Sequence, residues 1–339
     1  MNEARRTIAL TGATGFVGRQ VLHRLLEEPD LDVRCLLRPT SDAQGLRPGD
    51  PRVTVSRGDV CKPETLRPLL HGAWGVVHLA GYRDFWSRDR ELYYELNTRG
   101  AENVFVAALE AEVSKLVHVS TPLAYGVPAQ IPFDEETEPG PHPSDYARSK
   151  HLADQIGLRM YAEQGLPLTI VYLAAVIGPG DPRPTMEVRR AVERRLPALV
   201  GENTRYTYVH VRDAAEAIVR ALLSPKSVGR RYLIGTERAS TREYFELIGE
   251  IANVPIPHRN LSERLLMPLA KVLEKASRFS GRRPSLPVDI LKTTAAGSLL
   301  FDGSRAIDEL GMEYTPLRVA LREAVDELRA ENPPEDGPA

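Results

Sequence analysis

The chain has 339 residues, and its 44 Lys and Arg nearly balance its 46 Asp and Glu, giving a formal charge of −2. Its two cysteines, Cys35 and Cys61, exclude a disulfide framework or a cysteine-rich metal site. A charge near zero argues against the basic surface that nucleic-acid binding needs. Length and composition therefore fit a globular protein of one large or two smaller domains.

The first two-thirds of the chain alternates short apolar runs with longer amphipathic stretches. The runs have the β-branched content of buried strands and lie at residues 7–10, 33–37, 53–55, 75–79, 116–119 and 168–173. Helical patterns lie at 17–28, 63–71, 93–110 and 145–163, with Pro63 as a natural first helical residue and Gly165 as a natural stop. This alternation predicts an α/β fold with a doubly wound parallel (Rossmann) sheet covered on both faces.

The pattern is looser after residue 173. A strand at 206–211 and a helix at 214–223 could rejoin the main sheet, and the chain from about residue 238 is mainly helical. We predict a nucleotide-binding part at 1–175 and 206–236, a smaller, discontinuous, mainly helical substrate region at 176–205 and 237–331, and a flexible tail at 332–339. No stretch reaches the roughly 20 apolar residues of a membrane span. Since no apolar signal core precedes the first strand, we expect a cytoplasmic protein.

Residues 11–18 read TGATGFVG and lie between the first strand and the first helix. Gly12, Gly15 and Gly18 allow a tight turn that brings backbone N–H groups at the start of the helix up to a pyrophosphate. Because the spacing is G-x-x-G-x-x-G, the prediction of a dinucleotide site depends on the strand–turn–helix context as well as on the glycines.

The end of the second strand bears on which dinucleotide is bound. An Asp or Glu there would bind the ribose 2′-OH of NAD, but this chain has Arg38, whose guanidinium suits the 2′-phosphate of NADP. We therefore predict that NADP(H) is preferred over NAD(H), the alternative being that Arg38 is a solvated charge. Asp59, after the third strand, either accepts from the adenine amino group or caps a turn.

Tyr146 and Lys150 open a helix and share one of its faces, since they are four residues apart. A tyrosine with a pKa of about 10 is too weak an acid to exchange protons at neutral pH, but a nearby ammonium stabilises its phenolate. The pair therefore predicts a general acid/base. With no Cys/His cluster in the sequence, we predict no metal site, and His78 within its apolar strand is expected to be a satisfied core histidine.

With these residues the chain resembles the extended short-chain dehydrogenase/reductase family, also called the NAD-dependent epimerase/dehydratase family. The matching motifs follow the family's order over about residues 5–235 and lie at 11–18, 58–60, 77–81, 97–100, 119–126, 146–150 and 178–181. Within the family the chain looks most like dihydroflavonol-reductase-like, 3β-hydroxysteroid-dehydrogenase-like and hopanoid-associated members. The resemblance implies an NAD(P)-dependent oxidoreductase, a small-molecule substrate and a homodimer.

The resemblance also implies roles for individual residues. Tyr146 is the general acid/base, Lys150 lowers its pKa and binds the nicotinamide ribose, and Thr121 hydrogen-bonds the substrate oxygen, with Ser120 as the neighbouring alternative. Asn97 takes the place of a structural asparagine near the lysine. The cofactor contacts expected are Gly12, Thr14, Gly15, Phe16, Val17, Arg38, Asp59, Val60, Leu79, Ala80, Tyr146, Lys150 and Val176.

Two substrate classes compete. Nucleotide-sugar epimerases and dehydratases of this family usually have an Asn where this chain has Ala175, and a diphosphate-binding Arg where it has Tyr206. Arg205 is one place out of register, which turns its side chain to the opposite face unless a bulge intervenes. Both differences favour an apolar sterol-, terpenoid- or flavonoid-like ketone or alcohol over a nucleotide sugar. A third reading, a protein that senses NADP without catalysis, is disfavoured because such members typically lose the Tyr and Lys.

Two apolar segments bear on the substrate. Tyr82, Phe85 and Trp86 follow the fourth strand and are either a substrate wall or ordinary loop packing. In residues 261–279 the apolar side chains approximate a helical stripe. We expect a core-facing helix there; a substrate lid or a helix in peripheral contact with a membrane surface is the alternative. The stripe consists of Leu265, Leu266, Leu269, Val272, Leu273, Ala276 and Phe279.

Overall fold

The computed structural model describes residues 5–43, 46–47, 49–180 and 184–331. Its strands are β1 Arg6–Thr11, β2 Leu31–Leu37, β3 Val53–Arg57, β4 Gly75–His78, β5 Lys115–Ser120, β6 Leu168–Leu173, β7 Ala175–Ile177, β8 Leu199–Val200, β9 Arg205–His210, β10 Arg231–Ile234, β11 Glu237–Ser240 and β12 Asn260–Leu261. Its α-helices are α1 Phe16–Leu25, α2 Leu66–Leu70, α3 Glu91–Tyr93, α4 Gly100–Glu110, α5 Asp145–Gln164, α6 Pro184–Val192, α7 Val211–Leu223, α8 Thr241–Ala252, α9 Glu263–Ser280, α10 Val288–Ala295, α11 Ser304–Leu310 and α12 Leu317–Glu331.

The main sheet has seven parallel strands in the order β10-β6-β5-β4-β1-β2-β3, which confirms the predicted doubly wound fold. β4 and β6 are buried along their whole length, and α1 packs on α7 while α4 packs on α5. At the sheet edge, β3 is largely exposed, so the expectation of a buried strand is wrong there; within the described part of the chain, no further strand lies beyond it. β1 lies between β2 and β4, where the winding direction reverses and α/β sheets bind ligands.

The strand predicted at 206–211 forms as β9 but does not rejoin the main sheet. It pairs instead with β7 and β11 in a separate three-stranded sheet. The strand that extends the main sheet is β10, which follows α7 and lies parallel to β6. Sequence reasoning missed it because its four residues are too few to show a period.

The predicted helix at 93–110 is continuous but not uniform. It consists of α3, a π-helical turn at Tyr94–Arg99 and α4. The helix predicted at 145–163 is α5, and Gly165 ends it in the left-handed conformation with φ 74°. The predicted tail at 332–339 and Asp181 of the 178–181 motif lie outside the described residues.

The helix predicted at 261–279 is α9, but it faces the core with a different side from the one expected. Ala270 and Ser277 are buried, and Ala270 packs with α10 residues Val288 and Leu291 in a small core of their own. Leu265 and Phe279 of the predicted stripe are instead exposed. Among the described residues, no helix is both long and apolar enough to cross a membrane.

Candidate active site

The glycine turn between β1 and α1 leaves no room for side chains. Gly12 has φ 75°, and a Cβ there would lie 2.8 Å from both the Ala80 nitrogen and the Leu79 carbonyl carbon. A Cβ on Gly18 would lie 2.1 Å from the Gly12 oxygen, and the Gly15 N–H donates to that same oxygen at 3.0 Å. The three glycines therefore pack the turn tightly between β1, α1 and the end of β4.

This turn fits the pyrophosphate of a dinucleotide. Among the residues that the structure describes, no side chain caps the start of α1 at Gly15, so the positive end of the helix is open to an anion. Thr14 and Val17 are partly buried, Phe16 is buried and Gly15 is exposed. The turn also lies at the reversal point of the sheet, where such cofactors bind.

A buried polar contact ties the end of β1 to β4 beneath the turn. Thr11 Oγ1 lies 2.8 Å from His78 Nδ1 and accepts a hydrogen bond from the Ala80 N–H at 3.1 Å. His78 stacks on His118 of β5 with ring centroids 5.3 Å apart. His78 Nε2 has no hydrogen-bond partner among the described residues, so the predicted core histidine is buried but only half satisfied. Burial lowers the pKa of both imidazoles.

Arg38 and Asp59 lie after neighbouring strands of the sheet. Arg38 directly follows β2 and is exposed, and its carbonyl accepts from the Arg57 guanidinium at 3.1 Å. Asp59 Oδ1 accepts from the Cys61 N–H at 3.0 Å, so this carboxylate caps a turn in the structure. Val60 beside it is buried. Arg38 thus presents an exposed side chain at the carboxyl end of β2.

Helix α5 carries the Tyr146 and Lys150 pair. Ser144 caps its N-terminus by accepting from the Ala147 N–H at 3.2 Å. Tyr146 is partly buried and packs edge-to-face on Phe85, with ring centroids 5.7 Å apart. Phe85, from the loop after β4, is therefore a direct neighbour of the predicted acid/base.

Lys150 lies in a buried polar cluster beneath Tyr146. Its ammonium donates to the Val119 carbonyl at 2.8 Å and lies 3.5 Å from His118 Nε2. Asp154, one turn further along α5, has Oδ1 3.3 Å from the same His118 nitrogen. Burial lowers the pKa of Lys150 to about 8, and the Asp154 carboxylate opposes this shift. Burial also raises the pKa of the Asp154 carboxyl to about 7, against the effect of Lys150.

Ser120 and Thr121 point to different partners. The Ser120 hydroxyl donates to Asp154 Oδ2 at 2.8 Å, inside the buried cluster. Thr121 begins the 3₁₀ helix Pro122–Tyr125, and its hydroxyl accepts from the Leu123 N–H at 3.4 Å. The Ser120 hydroxyl is therefore used in the buried cluster around Asp154. The Thr121 hydroxyl lies just after the end of β5 and is not part of that cluster.

Asn97 lies in the π-helical turn and joins the loop after β4 to α5. Its amide Nδ2 donates to the Tyr82 carbonyl and to Ser149 Oγ, both at 2.9 Å. Its Oδ1 accepts from the Tyr82 N–H at 2.6 Å. Because Ser149 precedes Lys150 on α5, Asn97 fixes the loop relative to the lysine without touching it.

The three aromatic residues of this loop have different roles. The Tyr82 hydroxyl donates to the Trp86 carbonyl at 2.8 Å and its ring packs on Tyr93, which is loop packing. The Phe85 ring packs on Tyr146. Phe85, Trp86 and Glu274 of α9 line one closely packed crevice, so α9 borders this loop from the other side.

Sequence reasoning missed an ionic link at the start of α5. Arg90 pairs with Asp145, the first residue of α5, and donates to Asp289 of α10 at 2.8 and 3.1 Å. Tyr94 also donates to Asp145, at 2.9 Å. Asp289 is nearly buried. The link joins the helix that carries Tyr146 to the C-terminal helices, and no local pattern marks it because Arg90 and Asp289 are 199 positions apart.

A cleft of about 210 Å³ opens next to the 3₁₀ helix that follows Thr121. Leu123 and Pro143 line one side, and Tyr206 and Leu299 line the other. Tyr206 lies on the small sheet, where β9 pairs with β11 without a bulge. Arg205 is half exposed and pairs with Glu243 at 3.2 Å, outside the residues that line the cleft.

Two further predicted positions lie on β7. Val176 is partly buried and pairs with Val209 of β9. Ala175 is exposed at the start of the strand and pairs with Tyr208. Neither supplies a polar side chain.

Comparison with known proteins identifies the family. Residues 8–235 match the model of the NAD dependent epimerase/dehydratase family. A Synechocystis sp. protein provisionally named dihydroflavonol 4-reductase is 33% identical over 93% of this chain and 92% of its own length. Sterol demethylase protein B of Methylococcus capsulatus is 28% identical over 94% of this chain and 97% of its own. The crystal structure of gox2253 superposes with a TM-score of 0.81 at 32% identity, covering 96% and 98% of the two chains.

The family match spans the β1 turn, the loop after β4 and the α5 pair, which are the parts that make up the candidate site. The chain belongs to the NAD-dependent epimerase/dehydratase family and is an NAD(P)-dependent oxidoreductase of the extended short-chain dehydrogenase/reductase type.

Proposed function

We propose that the protein interconverts a secondary alcohol and a ketone on an apolar, sterol-, terpenoid- or flavonoid-like substrate, with NADP(H) preferred over NAD(H). The observation that carries this proposal is the edge-to-face packing of Phe85 on Tyr146. It gives the predicted acid/base an aromatic neighbour suited to an apolar substrate. The names of the reductase and sterol-enzyme relatives are in keeping with this class.

In the part of the chain that the structure describes, no arginine lines the cleft, which disfavours a nucleotide-sugar substrate. A diphosphate group needs charged, forked donors such as guanidinium groups. Tyr206 lines the cleft, while Arg205 pairs with Glu243 on the other side of the regular strand β9. Ala175 replaces the amide expected in sugar-nucleotide enzymes.

Proton transfer is assigned to Tyr146. When bound, the nicotinamide gives or takes a hydride. The chain's own groups transfer the proton and stabilise the charge on the substrate oxygen. Tyr146 donates to that oxygen in the reduction and accepts from it in the oxidation. Thr121 supplies a second hydrogen bond to the same oxygen. Lys150, one turn along α5, favours the tyrosinate when it carries its proton.

The cofactor preference is assigned to Arg38. Its exposed guanidinium directly follows β2, where a carboxylate would bind a ribose 2′-OH and repel a 2′-phosphate. The pyrophosphate is assigned to the Gly12–Gly15–Gly18 turn. We also propose the division into nucleotide and substrate parts predicted above, a homodimer and a cytoplasmic location.

The test compares substrate classes in wild type and in Arg205→Ala. NADPH consumption is measured with a panel of cyclic apolar ketones, and nucleotide-sugar conversion is measured with UDP- and dTDP-glucose. We expect turnover with apolar ketones in both proteins and no conversion of the nucleotide sugars. Conversion of a nucleotide sugar that is lost in Arg205→Ala would show that the substrate class is wrong. NADPH binding with no turnover on either panel would favour a sensor.

A further inference from the structure

Helix α9 turns an apolar stripe to solvent. Leu265 is 75% exposed, Leu269 52%, Val272 65% and Phe279 84%. Their spacings of four, three and seven residues place them on one face of the helix. Large apolar side chains at such exposure are costly in water unless another surface covers them.

The stripe is not the side that holds α9 in the fold. Ala270 on the opposite side is buried against α10 residues Val288 and Leu291. Leu266 and Met267 pack against the same small core. Core packing therefore accounts for one side of the helix and leaves the stripe unexplained.

A basic row runs beside the stripe. Arg264, Lys271, Lys275 and Arg278 are all exposed, and their spacings of seven, four and three residues put them on a single flank. The acidic residues of α9 lie on the inner side; Glu274, for example, accepts from the Val288 N–H at 3.3 Å. The outward part of the helix thus offers apolar side chains and cations with no carboxylates of its own.

We propose that α9 docks on an anionic phospholipid surface, with the stripe in the outer acyl region and the basic row among the headgroups. Apolar residues flanked by Lys and Arg on a single helix are the combination that binds such interfaces. The charge pattern favours lipid over a second copy of the chain. Among the described residues, Arg278 is the one member of the basic row that pairs with a carboxylate of α9, Glu274 at 3.7 Å, so most of the positive charge of the row faces outward. This inference does not depend on the substrate proposed above.

Docking through α9 would also place a membrane next to the active site. The inner side of α9 contributes Glu274 to the closely packed crevice that Phe85 and Trp86 line, and Phe85 contacts Tyr146. An apolar molecule dissolved in the bilayer would then lie near the aromatic loop without passing through bulk water.

The experiment is co-sedimentation of the full chain with vesicles of phosphatidylcholine alone and of phosphatidylcholine mixed with phosphatidylglycerol. The stripe variant replaces three exposed residues of α9: Leu265→Ser, Val272→Ser and Phe279→Ser. A matched control replaces three exposed apolar residues of other elements: Val55→Ser, Ile307→Ser and Val319→Ser. A charge variant replaces two residues of the basic row: Lys271→Gln and Lys275→Gln.

Wild type and the control should bind the mixed vesicles. The stripe variant should bind at least about 1,000-fold more weakly, since each of its three large side chains is worth about tenfold or more when buried. The charge variant should lose about fivefold per lysine on mixed vesicles, and this loss should disappear in high salt. An unchanged melting temperature and an unchanged NADPH affinity would show that the stripe variant is folded. If it is not folded, the single variant Phe279→Ser is used in the vesicle experiment instead. Any of three results would overturn the proposal: wild type does not bind vesicles at all, the stripe variant binds them as tightly as wild type does, or the stripe variant loses self-association of the protein instead of vesicle binding.

Discussion

The glycine turn permits a prediction whose size follows from the geometry. In Gly18→Ala the new Cβ would lie 2.1 Å from the Gly12 carbonyl oxygen, whereas an ordinary carbon–oxygen contact is about 3.3 Å. Helix α1 must therefore move relative to the turn by about 1 Å. A displacement of that size in a positioned site costs about 100-fold, which is about 2.8 kcal/mol of NADPH binding free energy.

The assay is a fluorescence titration with NADPH, combined with thermal unfolding in the presence and absence of the nucleotide. Wild type at 100 times its Kd should gain about 2.7 kcal/mol of stability from NADPH, and Gly18→Ala should gain little at the same concentration. Its melting temperature without nucleotide shows whether the variant is folded.

Gly72→Ala is the matched control. Gly72 has φ 66°, and a Cβ there would meet nothing within 4 Å, so the substitution should lower stability by about 1 kcal/mol through backbone strain alone. Its NADPH affinity should equal that of wild type. If folded Gly18→Ala binds NADPH as tightly as wild type, the assignment of the pyrophosphate to this turn is wrong.

Other predictions concern the cofactor, the proton and the link between helices. Arg38→Ala should lower the ratio of NADPH to NADH affinity by about tenfold or more, because a charge-assisted contact is lost; an unchanged ratio would refute the preference. Asp154→Asn removes the charge that opposes the lowering of the Lys150 pKa. The ammonium then deprotonates at lower pH, so the alkaline limb of the kcat profile should move to lower pH. Ser120→Ala, which keeps that charge, should leave the limb nearly in place, and equal profiles in all three proteins would contradict the role given to Lys150. Arg90→Met should cost about 2 kcal/mol of unfolding free energy by leaving a nearly buried carboxylate without its main partner; an unchanged melting temperature would count against that link.

The sequence was sufficient for the parts of the site that are local. Gly12, Gly15 and Gly18 lie within one turn, and Tyr146 and Lys150 within one turn of α5, so spacing alone brings them together. The alternation of strands and helices likewise predicted the doubly wound sheet that the structure has.

Contacts between distant segments could not be predicted in the same way. The cluster around Lys150 joins His118 of β5 to Asp154 of α5, and Arg90 joins α5 to α10. Neither pairing produces a periodic pattern in the sequence from which it could be predicted. The strand β9 was predicted, but its neighbours were not, because alternation specifies which face a residue takes and not which strand lies beside it.

Helix α9 shows a further limit of periodicity. Its apolar residues occupy two sides, one around Ala270 and one around Val272. A helical pattern indicates that such sides exist but does not indicate which one meets the core. The position of α10 decides which side of α9 is buried. Because α10 packs on the side around Ala270, the side that the sequence pattern indicated faces solvent.

The central claim is that the protein catalyses net hydride transfer between NADPH and an apolar ketone, with Tyr146 moving the proton. The most direct measurement follows deuterium from C4-deuterated NADPH into the alcohol formed from such a ketone, in wild type and in Tyr146→Phe. We predict deuterium on the carbinol carbon with wild type and, at saturating NADPH, a rate at least about 100-fold lower with Tyr146→Phe. An unlabelled product, or equal rates in the two proteins, would contradict the claim.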